Sequence, residues 1–273
     1  MLQDCSFEIA ARGHARLAGV QSEISQGTTI SVAFLAGDTI AGLVEAAAYV
    51  RRLGFTPKPH ISARCLSSEK ELVDLLTGLR DEAGVDRAFV VGGDPPKPAG
   101  PYRDALGVIE TGLLGEFGIK RVGIAGYPDG HPTIANDLLW DAMLRKITVL
   151  ANRGHELELV TQFGFDATPI LGWLDQVRRH GVKAEVRVGL PGPASVGSLL
   201  HFATRCGVTV TTAAAAKYGM SLTAPFSSVA PDRLLRDLAA GLGAGAQGRV
   251  GVHFHPFGGL DKAVKWMRER MEG

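Results

Sequence analysis

Residues 28–63 read "TTISVAFLAGDTIAGLVEAAAYVRRLGFTPKPHISA", and a complete structural unit can be read from them. The run 28–36 is apolar and rich in β-branched residues, as strands are. Residues 39–54 follow with helical spacing, and Arg51, Arg52 and Gly54 close them as a helix C-terminus closes. A second β-type run, "KPHISA" (58–63), comes next. The runs are continuously apolar rather than strictly alternating, which suits parallel strands covered on both faces.

The same unit recurs along the chain. Further β-type runs are "CSFEIA" (5–10), "RAFVVG" (87–92), "RVGIAGY" (121–127), "LELVTQFGF" (157–165), "AEVRVGL" (184–190) and "RVGVHFH" (249–255), which makes eight in all. Helical patterns lie between them at 67–84, 101–118, 134–153, 167–181, 194–206 and 230–243, with a last one at 258–271. Ser67 or Ser68 ahead of acidic residues is a capping signature for the helix at 67–84. Alternation of this kind predicts right-handed crossovers and a parallel sheet. Eight strands favour closure into a (β/α)8 TIM barrel, and 273 residues match the roughly 250 such a barrel needs. No G-x-G-x-x-G follows the first strand, which weighs against a dinucleotide-binding open sheet. The expectation is one α/β domain over residues 1–273 with no room for a regulatory extension, and a loop at 241–248.

Composition narrows the function. A net charge of +1 gives no reason to expect nucleic acid or an anionic membrane as partner. Cys5, Cys65 and Cys206 are odd in number and widely spaced, so neither a disulfide framework nor a structural zinc site is indicated. The N-terminus lacks an apolar core of signal-peptide length, and no segment has eighteen uninterrupted apolar residues. A soluble cytoplasmic protein is expected, with homo-oligomers left open.

In a barrel of this class the chemistry sits at the C-terminal ends of the strands. The polar residues there are Glu8, His60, Asp94, the loop "GYPDGHP" (126–132) with Tyr127, Asp129 and His131, then Gln162, His253 and His255. Each has a plainer reading. Glu8 could be a solvated strand end, Asp94 a helix cap and Gln162 a satisfied core amide. The turn chemistry of Pro-Asp-Gly explains Pro128 and Gly130 by itself. His253 and His255 share a face, yet an H-x-H pair lacks the remaining ligands of a metal site, so no metal is expected.

Together and in this order, these residues resemble the catalytic barrel of the methylenetetrahydrofolate reductases. The stretches that carry the resemblance are "SFE" (6–8), "GGDPP" (92–96), "AGYPDGHP" (125–132) and "TQFGFD" (161–166), with weaker echoes at 58–63, 199–208 and 253–254. The pairing of Y-P-x-x-H-P with T-Q-F-x-F-D is its specific part. The resemblance implies an oxidoreductase of one-carbon metabolism and methionine biosynthesis. Hydride would pass from NADH or NADPH through FAD to 5,10-methylenetetrahydrofolate, giving 5-methyltetrahydrofolate. It makes Glu8 the acid, Asp94 a charge beside the cofactor or pterin ring, and Gln162 a folate contact. His60, Gly93, Tyr127 and His131 would line the flavin site, with Arg145 and Lys146 reaching its phosphates. The glycines of "GGDPP" would let a flat ring approach the backbone.

The sequence also departs from the family. Gly92 stands where an arginine is usual, "IAARG" (9–13) replaces an aromatic-proline run, and strand two ends "SVAFLAG". "HFHPFGG" lacks an arginine, and Val196 replaces an aromatic folate contact. Several of these groups touch the flavin in the family, so direct hydride transfer from NAD(P)H to the folate is an alternative to the flavin relay. Outside that chemistry, the rivals are another flavin barrel, a folate-binding barrel without activity, and a metal-dependent barrel hydrolase using His253 and His255.

Overall fold

The β-type runs become strands β1 (Ser6–Ala10), β2 (Thr29–Ala33), β3 (Thr56–Ser62), β4 (Arg87–Val91), β5 (Arg121–Gly126), β6 (Glu156–Phe163) and β7 (Glu185–Pro191). Two short strands, β8 (Ala194–Ser195) and β9 (Ser228–Val229), precede β10 (Val250–His255). In this computed structural model, which describes residues 1–35, 37–242 and 248–272, the strand order is β1-β10-β7-β6-β5-β4-β3-β2 and closes on itself. With helices between the strands, the fold is a (β/α)8 barrel. Strands β8 and β9 form a separate antiparallel pair. Residues 243–247, within the stretch read as a loop, lie outside the described residues, as does Ala36 at the end of the second run.

The helices are α1 (Ile40–Arg52), α2 (Glu69–Ala83), α3 (Ala105–Glu110), α4 (Leu113–Glu116), α5 (Asn136–Asn152), α6 (Ala167–Arg179), α7 (Val196–Arg205), α8 (Thr212–Tyr218), α9 (Asp232–Gly241) and α10 (Leu260–Glu272). Their ends follow local chemistry. Thr39, Ser68, Asp104, Asp166, Ser195 and Thr211 each cap a helix by accepting a backbone N–H, and Gly84 ends α2 in the left-handed conformation. The single helix expected at 101–118 is two, because Gly112 takes φ +83° between α3 and α4. No helix among the described residues is long and apolar enough to cross a membrane.

The chain divides into two compact units. The first comprises Ser6–Ala125 and Trp140–Glu158. Here β1 pairs with β2, β2 with β3, β3 with β4 and β4 with β5, all parallel. Alternate strand positions differ in kind. Phe7, Ile9, Ile30, Val32 and Ile61 are buried apolar side chains, whereas Ser6, Ser31 and Lys58 on the other face are buried and polar. That polar face is a difference from the two-sided apolar burial expected of the runs.

The second unit comprises Met1–Cys5, Gly126–Leu139 and Leu159–Gly273. Its strands β7 and β10 pair in parallel, from Val250 opposite Val186 to His255 opposite Pro191. Arg187 is buried on β7 and pairs with Glu185 at 2.7 Å and with Asp4 at 3.2 Å. Between α7 and β10 the chain makes an excursion, 206–229, that no strand or helix pattern foretold. The buried Tyr218 pins it by donating to the carbonyl of Pro191 at 3.1 Å.

Candidate functional site

In the first unit the side chains of β3 set the chemistry. Lys58 and His60 are two residues apart, so they project from one face. Each meets a carboxylate. His60 Nε2 lies 3.4 Å from Glu8 Oε2, with the imidazole edge-on to Phe89 at 4.9 Å between ring centroids. Lys58 Nζ donates to Glu158 Oε2 at 2.5 Å, and both side chains are at most 3% exposed. Gly123 leaves the room for this pair, since a Cβ there would stand 3.0 Å from Phe89 and 3.4 Å from Glu158. Glu8 and His60 are thus brought together as a half-buried acid–base couple, with a fully buried ion pair two positions further down the strand.

The "GGDPP" loop has a structural reason for one of its glycines. Gly93 takes φ +86°, and a Cβ there would come within 3.2 Å of Ser62. Gly92 has nothing within 4 Å of that position. Backbone conformation thus gives Gly93 a reason of its own, independent of any ring it would admit. Arg64 staples the loop by donating to the carbonyls of Arg103 at 2.8 Å and Pro95 at 3.5 Å, while its own N–H reaches Gly92. Asp94 stands exposed on this loop and caps no helix, because that task falls to Asp104 at α3. On α5, Arg145 is exposed and Lys146 half-buried. Burial lowers the pKa of Lys146, with Asp104 acting in the opposite sense. The two are therefore not equivalent members of a basic pair.

In the second unit the loop after β5 and the end of β6 share a pocket. Asp129, Gly130, His131, Pro132 and Gln162, together with Gly207, Val208 and Thr209, line a small pocket open to solvent. The turn 127–130 is closed by the Gly130 N–H on the carbonyl of Tyr127 at 3.1 Å, with Gly130 at φ +78°. Tyr127 packs edge-on against His131, at 5.5 Å between centroids. Thr133 supplies its N–H to His131 Nδ1 at 3.3 Å. Gln162 donates to the carbonyl of Cys206 at 3.3 Å and accepts from the N–H of Phe163 at 3.2 Å.

Two carboxylates at this place behave oppositely. Asp166 caps α6 and is gripped by Lys217 Nζ at 2.6 Å. Burial opposes its ionisation, but the hydrogen bonds from Lys217 and Thr168 outweigh that and hold its pKa below the usual value. Asp129 presents surface to solvent, yet its carboxyl lies among enough protein atoms to feel desolvation, and Asp166 adds like-charge repulsion. Together they push it up to about 6. The sequence picks out Asp129 as a strand-end group without giving it a role, and Lys217 carries no signal in its alanine-rich surroundings.

His253 and His255 on β10 pack edge-on at 4.9 Å between centroids. His255 also stacks on Phe257 at 5.7 Å, and Phe257 on Phe202 at 4.3 Å. This aromatic column takes in the stretch 199–208, where the resemblance is weak.

No family model matches the sequence. In structure the chain is similar to a protein from Clostridium thermocellum that binds two copies of 5-methyl-5,6,7,8-tetrahydrofolic acid. The TM-score is 0.63 at 11% identity, covering 98% of this chain and 95% of that one. It is also similar to the dihydropteroate synthase from Thermus thermophilus, with a TM-score of 0.50 at 13% identity over 98% and 92% of the two chains. At these identities the likeness is one of fold: a (β/α)8 barrel shared with a folate-binding protein and a dihydropteroate synthase.

Proposed function

We propose that this chain binds a reduced folate and transfers hydride from NADH or NADPH to 5,10-methylenetetrahydrofolate, forming 5-methyltetrahydrofolate. The observation that carries the reading is the Glu8–His60 couple, a half-buried carboxyl 3.4 Å from an imidazole. Reduction of the methylene group requires its bond to N10 to break, and N10 then takes a proton from an acid. The iminium left at N5 accepts the hydride. Glu8 is the acid in this reading, and His60 is the group placed to return its proton. A positioned acid of this kind contributes about 10²–10⁴ in rate. Folate binding draws support from the fold shared with a barrel that binds 5-methyltetrahydrofolate.

The flavin is a poorer fit to these residues. His60 is packed edge-on against Phe89 with its Nε2 3.4 Å from Glu8, and His131 is engaged with Tyr127 and Thr133. Arg145 is exposed, and burial works against the charge of Lys146 that a phosphate would need. The reading therefore takes hydride directly from the nicotinamide. A visible spectrum of the purified protein, before and after adding FAD, tests this, and no flavin bands are expected. Loss of NAD(P)H absorbance on adding methylenetetrahydrofolate tests the activity, and no change with either nicotinamide would refute it.

A further inference from the structure

We propose that Asp129 determines ligand specificity, its carboxylate holding the ring N–H and exocyclic amino group of a 2-amino-4-oxopyrimidine. This rests on the folate reading above and names the part of the folate that enters the 129–132 pocket.

Apart from Thr209, which is exposed, the other polar side chains at the pocket are already engaged. Gln162, the folate contact implied by resemblance, has its amide committed at both ends, to Cys206 and Phe163. His131 Nδ1 is met by Thr133. Asp166 is held by Lys217 and by the N–H of Thr168. Among the described residues Asp129 has no hydrogen-bond or ion-pair partner, although it lines the pocket. The chain also keeps space for it, because a Cβ on Gly164 would lie 3.0 Å from Asp129 Oδ2.

Charge decides which end of a folate suits the pocket. Asp129 and Asp166 are both acidic, and the cation at hand, Lys217, is spent on Asp166. The carboxylates of a glutamate tail would be repelled here. A neutral ring offering two adjacent N–H donors would be held by both oxygens at once, as a carboxylate holds a guanidinium. Burial and the neighbouring charge make the ionised form costly without a ligand. Hydrogen bonds from a bound ring would repay that cost.

The test is calorimetric binding of 5-methyltetrahydrofolate, and of its analogue with a 2-methyl in place of the 2-amino group, to wild type, Asp129→Asn and Gly164→Ala. Wild type should prefer the amino compound by about 10- to 100-fold, since a site built to accept those donors rejects a ligand lacking them. Asp129→Asn should lose most of that preference while the analogue binds within about 3-fold of its wild-type affinity. Gly164→Ala, which crowds the carboxylate without removing it, should fall between. Circular dichroism checks that each variant is folded. Tight binding by wild type with the preference intact in Asp129→Asn would overturn the assignment and leave folate binding standing. No binding of either compound by wild type would overturn both.

Discussion

Consider replacing Lys58 by Met. The substitution keeps the length of the side chain, removes the ammonium, and leaves Glu158 buried beside Phe89 with no cation at 2.5 Å. Lys58 is 1% exposed and Glu158 3%, so water cannot take over the lost role. Breaking a buried pair from one side costs about 3–5 kcal/mol, most of it for the stranded charge. Melting entropy scales with length at about 2.1 cal/mol/K per residue, so for this chain the loss corresponds to a fall of about 5–9 °C in Tm. Glu158→Gln should cost a similar amount, because it leaves the ammonium stranded. The double variant Lys58→Met/Glu158→Gln strands neither charge and should be more stable than the sum of the single losses by at least ~1.5 kcal/mol. Urea unfolding of the four proteins, followed by circular dichroism, measures this cycle. The coupling should persist at high salt, since a buried pair is poorly screened. Additive losses, or single losses below about 1 kcal/mol, would refute the argument.

Other expectations follow from the site and its supports. Glu8→Gln should abolish turnover of methylenetetrahydrofolate while leaving 5-methyltetrahydrofolate binding within about threefold, because an amide keeps the shape but cannot donate the proton; equal loss of both would remove Glu8 from the acid role. Binding of 5-methyltetrahydrofolate should strengthen as pH rises through about 6, where Asp129 ionises. In Asp166→Asn that midpoint should fall yet stay above the usual carboxylate range, since burial is the larger cause and Asp166 the smaller. A raised carboxyl pKa gives stability that is complete below its unfolded value and is lost as pH climbs through the folded one. The gap from 3.8 to about 6 sets a ceiling of ~3 kcal/mol, which exposure of Asp129 reduces to about 1 kcal/mol, so Asp129→Asn should be that much more stable at pH 7 in a urea titration. Tyr218→Phe should cost ~1 kcal/mol, through the carbonyl of Pro191 left without its donor, and thermal unfolding would reveal it.

Strands and helix boundaries were legible because punctuation residues do what their chemistry requires. Thr39, Ser68 and Gly84 lie where capping rules place them. The break between α3 and α4 was hidden, since an isolated glycine inside a helical pattern is often tolerated, and only the positive φ of Gly112 reveals a stop. Of the site, the approach of Glu8 to His60 was foreseeable from both lying near strand ends. The Lys58–Glu158 pair was not, because its partners are a hundred residues apart and a charged residue in a strand reads as exposed. Tyr218 and Lys217 were missed for a related reason: α8 is a run of alanines whose anchoring contacts are all tertiary. Val196, read as a lost folate contact, is wholly buried at the start of α7.

The most direct test of the central claim is to mix the protein anaerobically with 5,10-methylenetetrahydrofolate and NADH or NADPH carrying deuterium at the transferable position, then analyse the folate by mass spectrometry. The account predicts 5-methyltetrahydrofolate with one deuterium in its methyl group, formed by wild type and not by Glu8→Gln. Recovery of unchanged methylenetetrahydrofolate with both nicotinamides, from protein that binds the folate, would contradict it.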